Sequence, residues 1–251
     1  TATFATIIIE RLLDLTTDVA ARAEFAGRRT TKTLDGVSVT GWFSEDFTLA
    51  ELKTLRARER LPELRQGNTR YDGVFEIPTF EEFLELVDAA NTQRAAKARA
   101  AGLPVPPRIG IYPGTKHPSY FAKAGFEFGP PMLEALSRHG YQRRSDPCWI
   151  QSFEVGNLKA LRGRTDLSLV QLMEPRGQPF DFTLAGDKRS YLDLMSDAGL
   201  REIAGYADAI APHKWAVVQF KDDKIQDTGL AGRARAAGLG VHVWTLRAEN
   251  E

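Results

Sequence analysis

Residues 108–118 read Arg108-Ile-Gly-Ile-Tyr-Pro-Gly-Thr-Lys-His-Pro118. A short apolar strand over 108–112 runs straight into a turn that carries Lys116 and His117. Parallel α/β enzymes present chemistry in this way, with polar side chains at the C-terminal tip of a buried strand. The chain beyond it repeats the arrangement. Strands are expected at 148–153, 167–173, 207–211 and 240–246, and helices near 130–140, 155–162, 190–196, 198–206 and 227–237. Strands that alternate with helices, separated by more than a hairpin's length, pair in parallel through crossovers. The pattern predicts an α/β fold with a parallel sheet.

The N-terminal part is less regular. Residues 3–9 are apolar and β-branched and read as a strand, with neither the basic leader nor the cleavage site of a signal peptide. Residues 11–25 read as helical with a break at 15–18. Residues 26–78 form an irregular, insertion-like region with a turn at Asp35-Gly36. Inside it Thr48-Leu-Ala-Glu51 is a capping box that opens a helix, and Thr79 caps another at 80–87. The Ala/Arg/Lys run to Ala101 continues or follows that helix, and Gly102 and the prolines at 104, 106 and 107 end it. Counted from 108 to 246 there are five strands, six with 3–9, where a closed (β/α)₈ barrel needs eight.

The 251 residues are 43% hydrophobic and 26% charged, enough to bury a large core, and are read as one domain over 1–251. Thirty-three basic and thirty-three acidic side chains cancel, so no overall field gathers nucleic acid or an anionic membrane. The basic segment 94–108 lacks the interleaved aromatics of a nucleic-acid platform. The single Cys148 excludes an intrachain disulfide and a thiolate zinc cage. No run of about 18 apolar residues spans a membrane.

Several stretches occur together and in order: Thr16-Thr-Asp-Val19, Asp46-Phe-Thr-Leu49, Ile77-Pro-Thr-Phe-Glu-Glu82, Ile109-Gly-Ile-Tyr-Pro113, Gln151-Ser-Phe153, Leu169-Val-Gln-Leu172, Tyr206-Ala-Asp-Ala-Ile-Ala-Pro212 and Val241-His-Val-Trp-Thr245. In this set the chain resembles the glycerophosphodiester phosphodiesterase family, in its longer, periplasmic-type branch, over roughly 12–250. The resemblance implies a TIM-type barrel, a divalent metal (calcium or magnesium), and cleavage of glycerophosphodiesters to an alcohol and glycerol 3-phosphate. It implies a periplasmic or secreted location, with a cytoplasmic one left open. By resemblance the chain corresponds to the middle and C-terminal part of the barrel. The family's His-Arg-Gly tip, its Glu-x-Asp metal pair and its terminal Phe-Thr-Asp strand are not found. Where the family carries a metal-binding carboxylate this chain has Gly114. Metal-dependent turnover is therefore expected to be impaired, and the alternative is an inactive phosphodiester-binding or structural remnant. An incomplete barrel leaves two strand edges, to be completed by 3–9 or by a partner copy.

Candidate site residues follow from the strand tips. Lys116, a position where the family also has a lysine, is the candidate phosphate contact; otherwise it is a solvated loop cation. Gln151 and Phe153 share one face of a strand and either line the cleft or pack the barrel interior. Trp244 either packs against a glycerol moiety or caps the barrel mouth. His213 and His117 are the weaker candidates for general acid–base work, against a structural or solvent-exposed role. His139 reads as a helix-end charge and His242 as barrel-layer packing. Asp222-Asp223 and Glu81-Glu82 read as solvated charge.

Overall fold

The computed structural model describes residues 12–221 and 224–246. The chain divides into two compact units, Thr1–Pro106 and Pro107–Glu251. The division falls in the proline-containing segment 104–107, past the end of the region read as insertion-like. Proline cannot continue a helix or donate to a sheet ladder.

In the first unit, β1 (Thr30–Leu34) and β2 (Val37–Gly41) form an antiparallel hairpin. Its two-residue turn is Asp35-Gly36, with φ of 48° and 84°. Both residues are left-handed, as the hairpin-favouring turn requires. Short helix α1 (Leu49–Thr54) opens with the expected capping box at Thr48 and Glu51. Long helix α2 (Phe80–Ala100) opens with another at Thr79 and Glu82. Glu82 thus caps a helix and pairs with Lys53, so it is more than solvated charge. Leu13, Val19, Phe25, Trp42, Leu52, Leu55 and Ile77 form the unit's core.

The helix expected at 11–25 is instead three 3₁₀ turns, Leu13–Leu15, Val19–Ala21 and Ala23–Arg28. Thr17 Oγ1 donates to Leu13 O (2.6 Å) and accepts from Val19 N (3.2 Å), while Asp18 accepts from Arg56 N (2.8 Å). Such side-chain bonds offer the backbone an alternative to the α-helical ladder. The strand expected at 3–9 lies outside the described residues, as do Asp222 and Asp223.

The second unit runs β3 (Gly114–Thr115), α3 (Pro118–Lys123), α4 (Gly129–Arg138), β4 (Trp149–Ser152), α5 (Val155–Arg162), β5 (Ser168–Met173), α6 (Phe180–Ala185), α7 (Tyr191–Leu194), α8 (Asp197–Ile203), β6 (Ala209–Pro212), α9 (Lys214–Val217), β7 (Val218–Lys221), β8 (Lys224–Asp227), α10 (Leu230–Ala236) and β9 (Gly240–Val241). Strands β3, β4, β5, β6 and β9 form one parallel sheet in that order. The fold is α/β, as the alternating pattern requires.

The strand expected at 108–112 is displaced toward 111–115. Ile111 bridges Cys148, and Pro113 contributes only its carbonyl, which accepts from Gln151 N (2.9 Å). Near the end of the chain the strand is regular only at Gly240–Val241, followed by a His213–Trp244 bridge. Helices α3 and α6 and most of the antiparallel hairpin β7–β8 lie in stretches to which the sequence pattern assigned no element. The hairpin's Val218, Phe220 and Ile225 carry the period-2 signal.

One face of the sheet packs on helices. Ile150, Leu169, Met173 and Ile210, buried from solvent, alternate with the residues of the other face. That other face carries Val170, Leu172, Ala209 and Ala211, with Trp149, Phe153 and Trp244 against them. The two outer strands meet across it. Tyr112 Oη lies 2.8 Å from His242 Nδ1, and the His242 ring stands edge-on to Trp149 with centroids 4.8 Å apart. In a flat five-stranded sheet the outer strands would be about 19 Å apart, four spacings of about 4.8 Å. Those side chains cannot span such a gap, so the sheet is curled into a trough with this face inside.

Candidate active site

Parallel register makes the inner face readable residue by residue. Gly114 is level with Gln151, Gln151 with Val170, Val170 with Ala209, and Ala209 with Gly240. Stepping by two along each strand reaches Lys116, Phe153, Glu174, His213 and Trp244. All five stand just past or at the C-terminal ends of their strands. Contacts join Lys116, Phe153, Trp244 and His213 at the mouth of the trough. Lys116 Nζ is 5.8 Å from the Phe153 ring centroid. Phe153 stands edge-on to Trp244 (5.8 Å) and to Tyr191 (6.4 Å), and His213 edge-on to Trp244 (5.1 Å). Trp244 Nε1 donates to Ala211 O (2.9 Å), which fixes the indole plane. His213 Nδ1 accepts from Trp215 N (3.4 Å) at the start of α9.

Lys116 is held on a tethered loop. On one side of it, Thr115 Oγ1 accepts from Asn157 Nδ2 (2.8 Å). On the other side, Glu154, 3% exposed, accepts from Ser119 N at 3.2 Å to both carboxylate oxygens and from Ser119 Oγ. Between the tethers His117 takes φ 48°, ψ 49° at the N-cap of α3. A left-handed non-glycine residue is uncommon and persists where its neighbours hold it. Glu154 was not singled out from the sequence. Only its position one residue past Phe153 marked it, and its grip on Ser119 joins elements 35 residues apart.

Glu174 was also missed. It follows β5, is half-buried, and is the carboxylate among the tip residues. Burial pushes its carboxyl above the ordinary range, and the charges of His213 and Lys116 partly oppose this.

Gln151 sits one step deeper than Phe153 and donates from Nε2 to Tyr112 O (3.1 Å). A Cβ built on Gly114 would stand 3.1 Å from Gln151 Cγ and 3.3 Å from its Nε2. The glutamine amide therefore occupies the space that a side chain at position 114 would enter. Hard divalent cations need several oxygen ligands. Among the described residues, no three His, Cys, Asp or Glu side chains group to hold a metal ion. The donor set of this mouth does not fit one. His242 packs the floor of the trough, and burial lowers its pKa. His139 is the C-cap of α4.

A sequence profile described as the glycerophosphoryl diester phosphodiesterase family matches residues 10–251. The chain belongs to this family. Its TIM-type α/β fold is thus the one the strand–helix alternation and the resemblance called for. A glycerophosphodiester phosphodiesterase of Arabidopsis thaliana is 33% identical over 254 residues, covering 95% of this chain and 62% of the relative. One of Haemophilus influenzae is 24% identical over 270 residues, covering 96% and 66%. The chain spans under two thirds of the length of these curated relatives. Among solved structures, an Oleispira antarctica phosphodiesterase in complex with the product sn-glycerol-3-phosphate is similar in fold. Its TM-score is 0.50 at 16% identity, over 87% of this chain and 65% of that one.

Proposed function

We propose that the mouth formed by Lys116, Phe153, His213 and Trp244 binds a small glycerophosphodiester, and that the protein acts as a hydrolase of the glycerophosphodiester phosphodiesterase family. The products are an alcohol and glycerol 3-phosphate. The observation that carries this is the convergence of two cationic or protonatable side chains, Lys116 and His213, on one aromatic-walled strand-tip site. A lysine at a strand tip supplies fixed positive charge to phosphoryl oxygens. An imidazole on the opposite wall is in place to hold or move a proton at an ester oxygen. The Phe153 and Trp244 rings give the carbon skeleton an apolar wall.

Turnover assisted by a divalent metal is proposed to be weak in this 251-residue chain. Gly114 offers no carboxylate, and Gln151 fills its space. The same observation favours the second reading, a phosphodiester-binding scaffold without catalysis. The periplasmic or secreted location remains a proposal from family resemblance; no helix among the described residues is long and apolar enough to cross a membrane. Pairing of the outer strands with a second copy is likewise proposed.

Calorimetric titration with sn-glycerol 3-phosphate, paired with release of glycerol 3-phosphate from glycerophosphocholine in calcium, magnesium or chelator, tests both readings. Saturable binding with slow release supports the enzyme reading, and binding without release supports the scaffold. Absence of binding overturns the site.

A further inference from the structure

The mouth holds one group that the phosphate reading leaves without a task. Glu174 stands in the inner-face register of Val170 and Leu172, one residue beyond β5. Among the described residues no hydrogen bond or ion pair reaches its carboxylate. Its neighbours in charge are His213 and Lys116. His213 is level with it across the β5–β6 register and donates its backbone N–H to Met173 O (3.1 Å). A half-buried carboxylate without a partner beside two cation-bearing side chains is an unusual thing to build into an anion site. On charge alone it would repel the phosphate.

What it recognises follows from what it lacks. When a ligand displaces water from the mouth, the carboxylate must receive donors from the ligand or remain desolvated and unpaired, which is unfavourable. Lys116 and His213, the cation-bearing groups beside it, are given to the phosphate in the reading above. The indole N–H of Trp244 is already given to Ala211 O, and Phe153 has no donor. A hydroxyl supplies a donor without adding negative charge. A simple alkyl group does not.

We propose that Glu174 is a specificity-determining residue of this site, accepting hydrogen bonds from the free hydroxyls of a polyol esterified to the phosphate. The assignment rests on the phosphate-binding reading above and deepens it. The site thereby selects phosphate esters of polyols over phosphate esters of plain alcohols. The discrimination lies in the ground-state complex and does not depend on turnover.

The test compares sn-glycerol 3-phosphate with n-propyl phosphate, which carries the same charge and no hydroxyl, by calorimetric titration at pH 7.5. The unaltered protein is expected to favour the glycerol ester about tenfold, the scale of one good hydrogen bond to a charged group. In Glu174→Gln the ratio falls to within about twofold while n-propyl phosphate binds as well or better. Glu174→Asp keeps the charge but withdraws it by one methylene, and loses most of the ratio too. Equal weakening of both ligands in Glu174→Gln, or an unchanged ratio in both variants, overturns the assignment while leaving the phosphate site standing. Failure of the unaltered protein to bind either ligand overturns the phosphate reading, and this one with it.

Discussion

Replacing Glu154 with glutamine perturbs the tether of Lys116 with little change in shape. The carboxylate is 3% exposed and accepts from both the N–H and the hydroxyl of Ser119. Hydrogen bonds to a charged group contribute roughly 1.5–3 kcal/mol each. The glutamine keeps one carbonyl oxygen for Ser119 and turns an amide N–H₂ toward the other donor, so the expected loss is about 2 kcal/mol. A domain of this size shifts its Tm by about 2–4 °C per kcal/mol, giving a fall of roughly 4–8 °C. Glu154→Ala leaves both Ser119 donors unpaired and should lower Tm further. The assay is thermal unfolding followed by circular dichroism, repeated on Ser119→Ala and the double variant. Because the two residues act on each other, the double variant should be less destabilised than the sum of the singles. Since the same contact anchors the loop of Lys116, affinity for sn-glycerol 3-phosphate should fall in parallel. A Tm within about 1 °C of the parent, or strictly additive variants, would refute the claim that this carboxylate holds the loop.

Lys116→Ala should weaken binding of sn-glycerol 3-phosphate by about tenfold or more, as loss of one charge-assisted contact implies, with Tm unchanged because the side chain is exposed; unaltered affinity counts against the phosphate role. The Cys148 thiol, fully buried and pushed up to about 12 by burial and by Asp146, should not react with a disulfide reagent at pH 8 until the protein is unfolded; rapid native-state labelling contradicts the burial. Glu174 has a folded-state pKa raised above its unfolded value of 4.5. Its contribution to stability is therefore fully present below pH 4.5 and is lost as pH rises through the raised value. Glu174→Gln should match the parent at pH 4 and be the more stable of the two at pH 8 in urea unfolding, and the opposite order would break the argument.

Much of the fold could be read because it is written in local chemistry. Thr48, Thr79 and the Asp35-Gly36 turn act within four residues of themselves, so their helices and hairpin lie where capping and turn rules place them. A period of two puts Gln151 and Phe153 on one side of their strand, whereas the register between strands, which only the structure gives, sets Lys116, His213 and Trp244 on that same side. The 3₁₀ turns at 13–28 were misread because Thr17 and Asp18 divert the backbone through side-chain bonds that hydrophobic periodicity does not register. Family membership also lay in the sequence, in the order and spacing of motifs from Thr16 to Thr245.

Other features had to wait for the packed chain. The amide of Gln151 against Gly114 depends on which strands are neighbours, and so do the grip of Glu154 on Ser119 and the meeting of Tyr112 with His242. That no described residue pairs with the Glu174 carboxylate is decided in the same way, since a carboxylate's partners are set by what folding brings beside it. Strand parity says which way a side chain points. Only the curl of the sheet says what it meets there, because that distance is fixed by residues far apart in the chain.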